Sequence, residues 1–395
     1  MFLNDYIKSE VDLGRYCGMV MLDLQKAFDT VNHAVLLDKL EAIGFDSPSV
    51  DWMKSYLEGR QQMVDINGTM SSPLLVNCGV PQGSILGPLL FLLYINDMNT
   101  ACNCKLFLFA DDSALLISGK DKTEVEEALS LELTKIQTWL SDNKLSLHLG
   151  KTESILFGSN HSHRGINDFK VKVDDTEICN KKEITYLGCI LDNKLTGESM
   201  ASRAIQRINQ RTRFLGRVSA FVNKSALNTL AGALIMPIFD YACTSWYSNI
   251  SKSQKHKLQT SQNKLIRLLL GLGPMTHLDQ LHFNTIGWLR VEDRVNQLKM
   301  GLTFKIVNST LPSMPSVPTY LTNYLKKVSS THNHYTRGSE NNDLVNLKFE
   351  TNTGKSTFHN TATQVWNALP PFLKKSNSLA SFKKGLKIHF SAGQR

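Results

Sequence analysis

Three aspartates stand where the sequence could bring carboxylates together. Asp23 ends an apolar run that begins at Gly18, and Asp111 and Asp112 lie between two apolar runs within residues 105–118. Burying carboxylates is costly unless they are paired or bind a cation. Three converging carboxylates suit hard cations such as Mg²⁺, and two such ions can activate a hydroxyl and stabilise a leaving pyrophosphate. An isolated Asp-Asp pair is usually an exposed turn, so the flanking residues must decide between these interpretations.

The elements that must position these acids can be predicted from the hydrophobic pattern. Residues 18–23 predict a buried strand that ends in an acid, and residues 105–118 predict a hairpin with acids at its tip. Apolar residues at helical spacing predict helices, and alternation with turn residues predicts strands. The helices are expected at 31–43, 51–57, up to 96 after the glycine-rich run 79–87, and 122–140; further strands are expected at 61–80 around an Asn67-Gly68 turn, at 154–158, and across 169–191. Such alternation of strands and helices indicates an α/β or α+β domain.

The second half of the chain has a different pattern. From about Thr196 it is predicted to be mainly helical, and residues 311–350 contain several prolines, serines and asparagines that predict loops. Residues 356–390 predict two short helices around a Pro-Pro pair, and a hydrophilic loop is predicted near 160–167.

An arginine-rich stretch begins this helical half. Residues 203–217 contain five arginines and no acid, and Arg203, Arg207 and Arg211 recur every four residues. Residues at this spacing line one face of a helix. Such a face either binds a nucleic-acid backbone or is simply solvated.

Composition limits the class of protein. The 395 residues suggest two or three domains, and the net charge of +9 favours polyanionic partners, either nucleic acid or anionic membrane. The seven cysteines include no Cys-x-x-Cys pair, which predicts neither a zinc site nor a disulfide framework and favours a reducing compartment. The longest apolar run, residues 85–95, is shorter than the ~20 residues that span a bilayer. The N-terminus lacks signal-peptide features. We therefore expect an intracellular protein of nucleus and cytoplasm, not secreted and without a membrane partner.

The residues around the aspartates resemble motifs of LINE-type (non-LTR) retrotransposon reverse transcriptases. Residues 23–33 (DLQKAFDTVNH) resemble motif A, residues 79–88 (GVPQGSILGP) resemble motif B, and residues 109–112 (FADD) resemble motif C. Residues 145–147 (LSL), with Lys151-Thr152 and Phe157, resemble motif D, and residues 186–188 (YLG), with Leu191-Asp192, resemble the primer grip. The five motifs occur in the order of the family. The resemblance is specific from about Gly18 to Asp192 and looser beyond.

The resemblance implies a fold and an activity. The fold would be α+β: a polymerase palm, an antiparallel sheet with packed helices, in residues 1–192 with most of the fingers missing. A helical thumb and connection would follow at 193–310, then a loop-rich and helical extension at 311–395. The implied activity is RNA-directed DNA synthesis, in which a primer 3′-hydroxyl attacks the α-phosphate of a deoxynucleotide. The implied partners are an RNA template, a DNA primer and deoxynucleoside triphosphates, and the implied cofactor is two Mg²⁺ ions, with Mn²⁺ as an alternative.

The resemblance also assigns metal and proton-transfer roles. Asp23 and Asp111 would be the main metal ligands, Asp112 would support them, and the carbonyl of Leu24 could join them. Lys151 would lie near the pyrophosphate as a general acid. The family usually has asparagine three residues before this lysine, whereas this chain has His148.

Other residues would bind substrate. Phe28 would abut the sugar and exclude a ribose 2′-hydroxyl, and Gln82 and Gly83 would lie near the incoming nucleotide. The face formed by Arg203, Arg207 and Arg211 would bind the template–primer backbone.

Alternatives remain open on the residues alone. Only 22 residues precede Asp23, which the resemblance implies is too few for the fingers, so we expect an N-terminally truncated copy or an incomplete gene model. Such a chain could be an inactive retrotransposon remnant that only binds nucleic acid. A viral RNA-dependent RNA polymerase usually carries Gly-Asp-Asp and lacks a bulky aromatic at position 28. A group II intron maturase would have a comparable palm, but it fits residues 26–33 less well. The oligomeric state is not predicted.

Overall fold

The computed structural model describes residues 1–158, 168–309, 317–330 and 336–392. The chain divides into two compact units. The sheet unit is Gly14–Gly188, and the helical unit combines Met1–Leu13 with Cys189–Arg395. The sequence-based division placed residues 1–192 together, whereas the structure groups the first thirteen residues with the helical unit. The loop predicted near residues 160–167 lies outside the described residues.

The helices and strands lie close to their predicted positions. The strands are β1 (Tyr16–Leu22), β2 (Gln61–Gln62), β3 (Asp65–Ile66), β4 (Thr69–Met70), β5 (Leu74–Leu75), β6 (Lys105–Phe109), β7 (Asp112–Gly119), β8 (Glu153–Phe157), β9 (Val171–Val173), β10 (Thr176–Asn180), β11 (Glu183–Tyr186) and β12 (Cys189–Asp192). The longer helices are α1 (Phe2–Asp12), α2 (His33–Ala42), α3 (Ser47–Leu57), α4 (Leu86–Ile95), α5 (Lys122–Asp142), α6 (Glu198–Val218) and α7 (Lys224–Leu234). The helices that follow in the chain, several of them short, are α8 (Met236–Asp240), α9 (Cys243–Trp246), α10 (Lys252–Leu270), α11 (Gln280–Ile286), α12 (Val291–Val307), α13 (Arg337–Glu340), α14 (Asn352–Lys355), α15 (Phe358–Ala368), α16 (Pro371–Lys374) and α17 (Leu379–Ala392).

A six-stranded sheet forms the centre of the sheet unit, in the order β6-β7-β1-β8-β10-β9. All neighbouring strands are antiparallel except the parallel pair β8 and β10. This is a mixed architecture with a mainly antiparallel sheet, which agrees with the predicted α+β class. The apolar sequence of β1 suits its central position, because a strand with neighbours on both sides is buried along most of its length.

Helix α5 covers one face of this sheet. Its buried residues include the predicted stripe Val125, Leu129, Leu133, Ile136 and Leu140. Asp121 caps the helix by accepting a hydrogen bond from the Glu124 amide at 2.9 Å. Gly18 of β1 lies so close to α5 that a Cβ there would lie 2.4 Å from Val125 Cγ1. Glycine at this position therefore allows the helix to pack directly on the strand that leads to Asp23.

Helices α2, α3 and α4 complete the apolar core of the sheet unit. Helix α4 has no polar face, and its residues Leu90, Phe91, Tyr94 and Ile95 are buried. The predicted hairpin across residues 61–80 is confirmed: β3 pairs with β4 around the Asn67-Gly68 turn, and β2 pairs with β5.

The N-terminal helix belongs to the helical unit because buried polar side chains hold it there. The Asp5 carboxylate accepts hydrogen bonds from the amides of Phe358 (2.7 Å) and His359 (3.0 Å). Lys8 Nζ donates to the carbonyl of Ser356 at 3.2 Å. Buried charges are tolerated when they are paired and hydrogen-bonded, so these contacts fix α1 against residues far away in the sequence.

The rest of the helical unit is predominantly helical, as predicted. Within the described part of the chain, one stretch, Lys224–Trp246, is long and apolar enough by length and composition to be a membrane-span candidate. In this structure it forms three consecutive helices, α7 to α9, and about 33% of its most apolar window is buried. Two short helices were predicted around the Pro-Pro pair at 370–371; the structure has a third, because Pro371 begins the four-residue helix α16. Proline is favoured in the first turn of a helix.

Candidate active site

The sheet brings the three predicted aspartates to one edge. Strand β1 pairs with β7 in a register whose last matched pair is Leu22 and Ser113. Asp23 and Asp112 are the next residues beyond that pair, and the charge of Asp23 acts on Asp112. Asp111 lies in the turn that joins β6 to β7. The preceding Ala110 adopts a left-handed conformation, with φ 51°. A central strand end and a tight hairpin therefore juxtapose carboxylates that are nearly ninety positions apart in the sequence.

The electrostatics of Asp112 reflect this juxtaposition. Partial burial raises the pKa of the Asp112 carboxyl, and the neighbouring charges of Asp111 and Asp23 raise it further. Like charges that disfavour each other's ionisation are the environment in which a cation binds well. The donors are all carboxylate oxygens, which fit a hard divalent cation such as Mg²⁺.

The spacing of the carboxylates is looser than that of a closed metal cage. In the described part of the chain, a single set of three His, Cys, Asp or Glu side chains brings its ligand atoms within 4.8 Å of one another. That set is Cys102, Cys104 and Glu132, and it was not anticipated from the sequence. The three aspartates do not form such a set among the described residues.

The segment that carries Lys151 is fixed beside Asp23 by main-chain bonds. The carbonyl of Asp23 accepts from the amide of His148 at 2.7 Å, and the amide of Gln25 donates to the carbonyl of Ser146 at 2.8 Å. The Lys151 amide donates to the His148 carbonyl at 2.9 Å, and the Lys151 side chain is exposed. These bonds use only the main chain of His148, so its difference from the family's asparagine leaves them intact.

Leu24 lies between these two bonds. Its side chain is buried, and it forms an isolated antiparallel bridge with Leu147. The two flanking main-chain hydrogen bonds are made by the Asp23 carbonyl and the Gln25 amide, so neither involves the Leu24 carbonyl.

The glycine-rich loop packs against the segment that follows Asp23. The amide of Gly79 donates to the carbonyl of Val31 at 2.7 Å, and the amide of Val80 donates to the carbonyl of Phe28 at 2.8 Å. His33 Nε2 donates to the carbonyl of Gly79 at 2.8 Å. At least three hydrogen bonds therefore join the motif A and motif B segments. The sequence of either segment taken alone does not predict them.

A cavity of about 750 Å³ opens between this loop and the hairpin of β2 to β5. This volume falls in the range of small-molecule sites. The lining includes Lys26, Asp29, Arg60 and Gln82. Gln82 Nε2 donates to Asp29 Oδ1 at 2.8 Å, which holds the exposed Gln82 side chain at the cavity. The sequence analysis identified Gln82 as a site residue but did not identify Lys26, Asp29 or Arg60. Lys26 and Asp29 lie within the motif A segment, whereas Arg60 lies in none of the motifs.

Phe28 and Gly83 have distinct surroundings. The half-buried Phe28 ring packs on Phe91 of α4, with 4.5 Å between ring centroids. Gly83 is exposed and has φ 78°, and a Cβ there would meet no atom within 4 Å. Packing therefore holds the Phe28 ring in place, whereas the main chain of Gly83 is exposed.

The three arginines of α6 differ from one another. They lie along one side of a buried stripe that includes Ala204 and Ile208. Arg203 and Arg207 are exposed, whereas Arg211 is half-buried and its guanidinium donates to the carbonyl of Leu234. Two of the three arginines predicted to bind nucleic acid therefore lie on an exposed surface. The third arginine also connects α6 to the end of α7.

Comparison with known proteins agrees with this geometry. The family described as "Reverse transcriptase (RNA-dependent DNA polymerase)" matches residues 4–191. That range contains the three aspartates, the glycine-rich loop and the segment of Lys151. Residues 4–191 form a reverse transcriptase domain. The sequence resemblance is thereby confirmed, and the sheet unit lies entirely within this reverse transcriptase domain.

Curated relatives come from insect retrotransposons. The chain is 29% identical over 281 residues to the "Probable RNA-directed DNA polymerase from transposon BS" of Drosophila melanogaster, covering 68% of this chain and 30% of the relative. It is 29% identical over 269 residues to the "RNA-directed DNA polymerase from mobile element jockey" of Drosophila funebris, covering 65% and 28%. It is 31% identical over 129 residues to the "Retrovirus-related Pol polyprotein from type-1 retrotransposable element R2" of Popillia japonica, covering 29% and 21%. The chain spans at most about 30% of the length of these relatives.

Proposed function

We propose that this chain carries the polymerising site of a non-LTR retrotransposon and catalyses RNA-directed DNA synthesis. The observation that carries the proposal is the pairing of β1 with β7, which brings Asp23 close to Asp112, with Asp111 in the adjacent turn. The reaction joins the 3′-oxygen of a DNA primer to the α-phosphorus of a deoxynucleoside triphosphate and releases pyrophosphate. The sheet unit would act as the palm, and α6 with the helices after it would act as the thumb.

The aspartates would hold the divalent cations. Asp23 and Asp111 would be the main ligands of two Mg²⁺ ions, for which Mn²⁺ could substitute, and Asp112 would support them. Burial, and after it the charges of Asp111 and Asp23, raises the pKa of the Asp112 carboxyl. The charge repulsion supports this role, because a cation would relieve it. When bound, such ions lower the pKa of an attacking hydroxyl and neutralise charge on a leaving pyrophosphate. The Leu24 carbonyl would add an oxygen ligand, since the two flanking main-chain bonds leave it aside.

Lys151 would protonate the leaving pyrophosphate. Its segment is anchored to Asp23 and Gln25 by main-chain bonds, so its exposed side chain extends from a fixed base beside the acids. An ammonium group in this position can donate a proton to an oxygen that gains charge in the transition state.

The cavity beside the glycine-rich loop would bind the incoming nucleotide. Lys26 and Arg60 supply positive charge for a triphosphate, and Gln82 and the open main chain of Gly83 would contact the nucleotide. The Phe28 ring, held against Phe91, would occupy the space next to the sugar C2′ atom and exclude a 2′-hydroxyl. Packed rings resist displacement, so this exclusion would be steric rather than a matter of hydrogen bonding.

The exposed face of α6 would bind the phosphates of the template–primer. Arg203 and Arg207 are available for such contacts, and Arg211 could contribute its remaining donors. Contacts with phosphates provide affinity without reading sequence.

Primer extension tests the proposed activity. The purified chain would be incubated with an RNA template, an annealed DNA primer, Mg²⁺, and either deoxynucleotides or ribonucleotides. We expect extension with deoxynucleotides, lost in Asp111→Asn and retained in Asp38→Asn, which alters an exposed aspartate on α2. Salt-sensitive binding of the template–primer without extension would refute the enzymatic proposal and favour an inactive remnant that only binds nucleic acid.

A further inference from the structure

Two cysteines and a glutamate converge at the base of the hairpin that carries Asp111 and Asp112. Cys102 and Cys104 lie in the short connection that precedes β6, and Glu132 projects from α5. The two Sγ atoms and a Glu132 carboxylate oxygen all lie within 4.8 Å of one another. Cys102 and Glu132 are 8% and 7% exposed, and Cys104 is half-buried.

The carboxylate is already oriented towards the cysteine segment. Glu132 Oε2 accepts the amide of Asn103, between the two cysteines, at 2.7 Å. Glu132 Oε1 accepts from Lys135 Nζ at 2.6 Å. Each carboxylate oxygen has a second acceptor site, so these bonds fix the group without exhausting its lone pairs. The Glu132 carboxylate is therefore held in place before any ligand binds.

The surroundings of Cys104 disfavour the charged form of its thiol. Burial, followed by the proximity of Cys102 and then of Glu132, raises the pKa of the Cys104 thiol. Two thiols beside a carboxylate in a partly buried site provide soft sulfur donors together with one oxygen. Sulfur donors select thiophilic ions such as Zn²⁺ over Mg²⁺. This donor set thus differs in kind from the all-oxygen site of the aspartates.

We propose that Cys102, Cys104 and Glu132 form a binding site for a thiophilic divalent cation of the Zn²⁺ class. On tetrahedral Zn²⁺, with bonds of ~2.3 Å to sulfur, two thiolates lie about 3.8 Å apart. The two Sγ atoms already lie within 4.8 Å of each other. The half-exposed side of Cys104 leaves the fourth position to water.

Binding balances in charge and protons. The cation forms two bonds to sulfur and one to oxygen, and the two thiol protons pass to solvent. The resulting centre carries one net negative charge, which the ammonium group of Lys135 offsets. Reducing conditions keep both thiols available, because oxidation would join Cys102 and Cys104 in a disulfide instead.

The site would brace the catalytic hairpin. Residues 102–104 lead directly into β6, and the turn at the far end of β6 carries Asp111. Crosslinking this connection to α5 would hold the beginning of β6 relative to the helix that covers the sheet. This inference is independent of the proposed polymerase activity, since it depends only on ligand geometry within the sheet unit.

Cation titration of the whole chain under reducing conditions tests the site. Cd²⁺ serves as the probe, because its bonds to thiolates give an ultraviolet charge-transfer band that carboxylates do not give. We expect one such Cd²⁺ per chain, the release of about two protons on binding, and competition by Zn²⁺. Cys104→Ser and Glu132→Gln should each weaken binding at least tenfold. Cys179→Ser, which removes an exposed cysteine elsewhere in the same unit, should leave affinity unchanged.

Two results would overturn the proposal. One is a wild-type chain with all thiols reduced that shows no thiolate charge-transfer band at saturating Cd²⁺. The other is an equal loss of the band in Cys179→Ser and Cys104→Ser, which would place the cation elsewhere. Circular dichroism of each variant verifies its fold, and proton release measured calorimetrically in two buffers reports on the wild-type chain alone.

Discussion

Gly79 and Gly83 form a matched pair within one loop, and alanine at each position should separate backbone strain from steric overlap. Both glycines have left-handed backbones, with φ 88° and 78°. A Cβ at Gly79 would lie 2.7 Å from the carbonyl oxygen of Asp29, whereas a Cβ at Gly83 would meet nothing within 4 Å. Only the Gly79 substitution must therefore push main chain away from main chain.

The expected magnitudes follow from these two terms. A left-handed conformation costs an L-residue roughly 1–2 kcal/mol, and overpacking costs about 1–3 kcal/mol more. We expect Gly83→Ala to lower the free energy of unfolding of the sheet unit by ~1–2 kcal/mol, and Gly79→Ala to lower it by ~2–5 kcal/mol. The larger loss should also disturb the bond between Gln82 and Asp29, because the loop must shift.

Amide hydrogen exchange can measure these losses separately in the two units. Protection of the β1 amides reports opening of the sheet unit, and the amides of α10 serve as an internal reference in the helical unit. Equal losses for the two variants, within about 0.5 kcal/mol, would refute the argument that close approach of Asp29 requires glycine at position 79.

Three further predictions concern specificity, binding and pH. Phe28→Val should raise ribonucleotide use relative to deoxynucleotide use by at least about tenfold, or ~1.4 kcal/mol, in primer extension; an unchanged ratio would remove Phe28 from sugar selection. In the double variant Arg203→Gln with Arg207→Gln, the slope of log affinity for the template–primer against log salt concentration should fall by about 1–2. Arg211→Gln removes a contact with a main-chain carbonyl and should mainly lower the stability of the protein. The reverse pattern would contradict the assignment of these arginines. Burial lowers the pKa of Lys299 to about 8, from 10.5, so between these values the unfolded state binds more protons. The stability of the wild type relative to Lys299→Met should therefore rise as pH increases from about 8 towards 10.5, as measured by urea unfolding; a difference that stays constant or falls would contradict this sign.

The sequence was informative wherever a pattern is local. The apolar run before Asp23, the two apolar runs around Asp111 and Asp112, and the helical stripe of α5 each predicted an element that the structure contains. Hydrophobic periodicity reports which face of an element is buried, and it does so from neighbours in the chain. The motifs also indicated the family, because the residues of each motif lie within a short stretch of the sequence.

Long-range packing was less accessible. Helix α1 joins the helical unit through the bond from the Phe358 amide to Asp5, across 353 positions, and its own pattern shows only an amphipathic helix. Arg211 shares the spacing of Arg203 and Arg207, yet a main-chain carbonyl already engages its guanidinium. Periodicity states which side of a helix is polar but not what lies opposite it.

The sequence by itself determined the family, the order of the elements and the acids that could bind cations. Only the tertiary structure decided that Asp29 holds Gln82 at a cavity, and that Glu132 meets two cysteines spaced too closely for the Cys-x-x-Cys pattern. The physical reason is that an element's type follows from adjacent residues, whereas a site follows from how separate elements pack. Packing depends on the shapes and hydrogen bonds of residues that are distant in the chain.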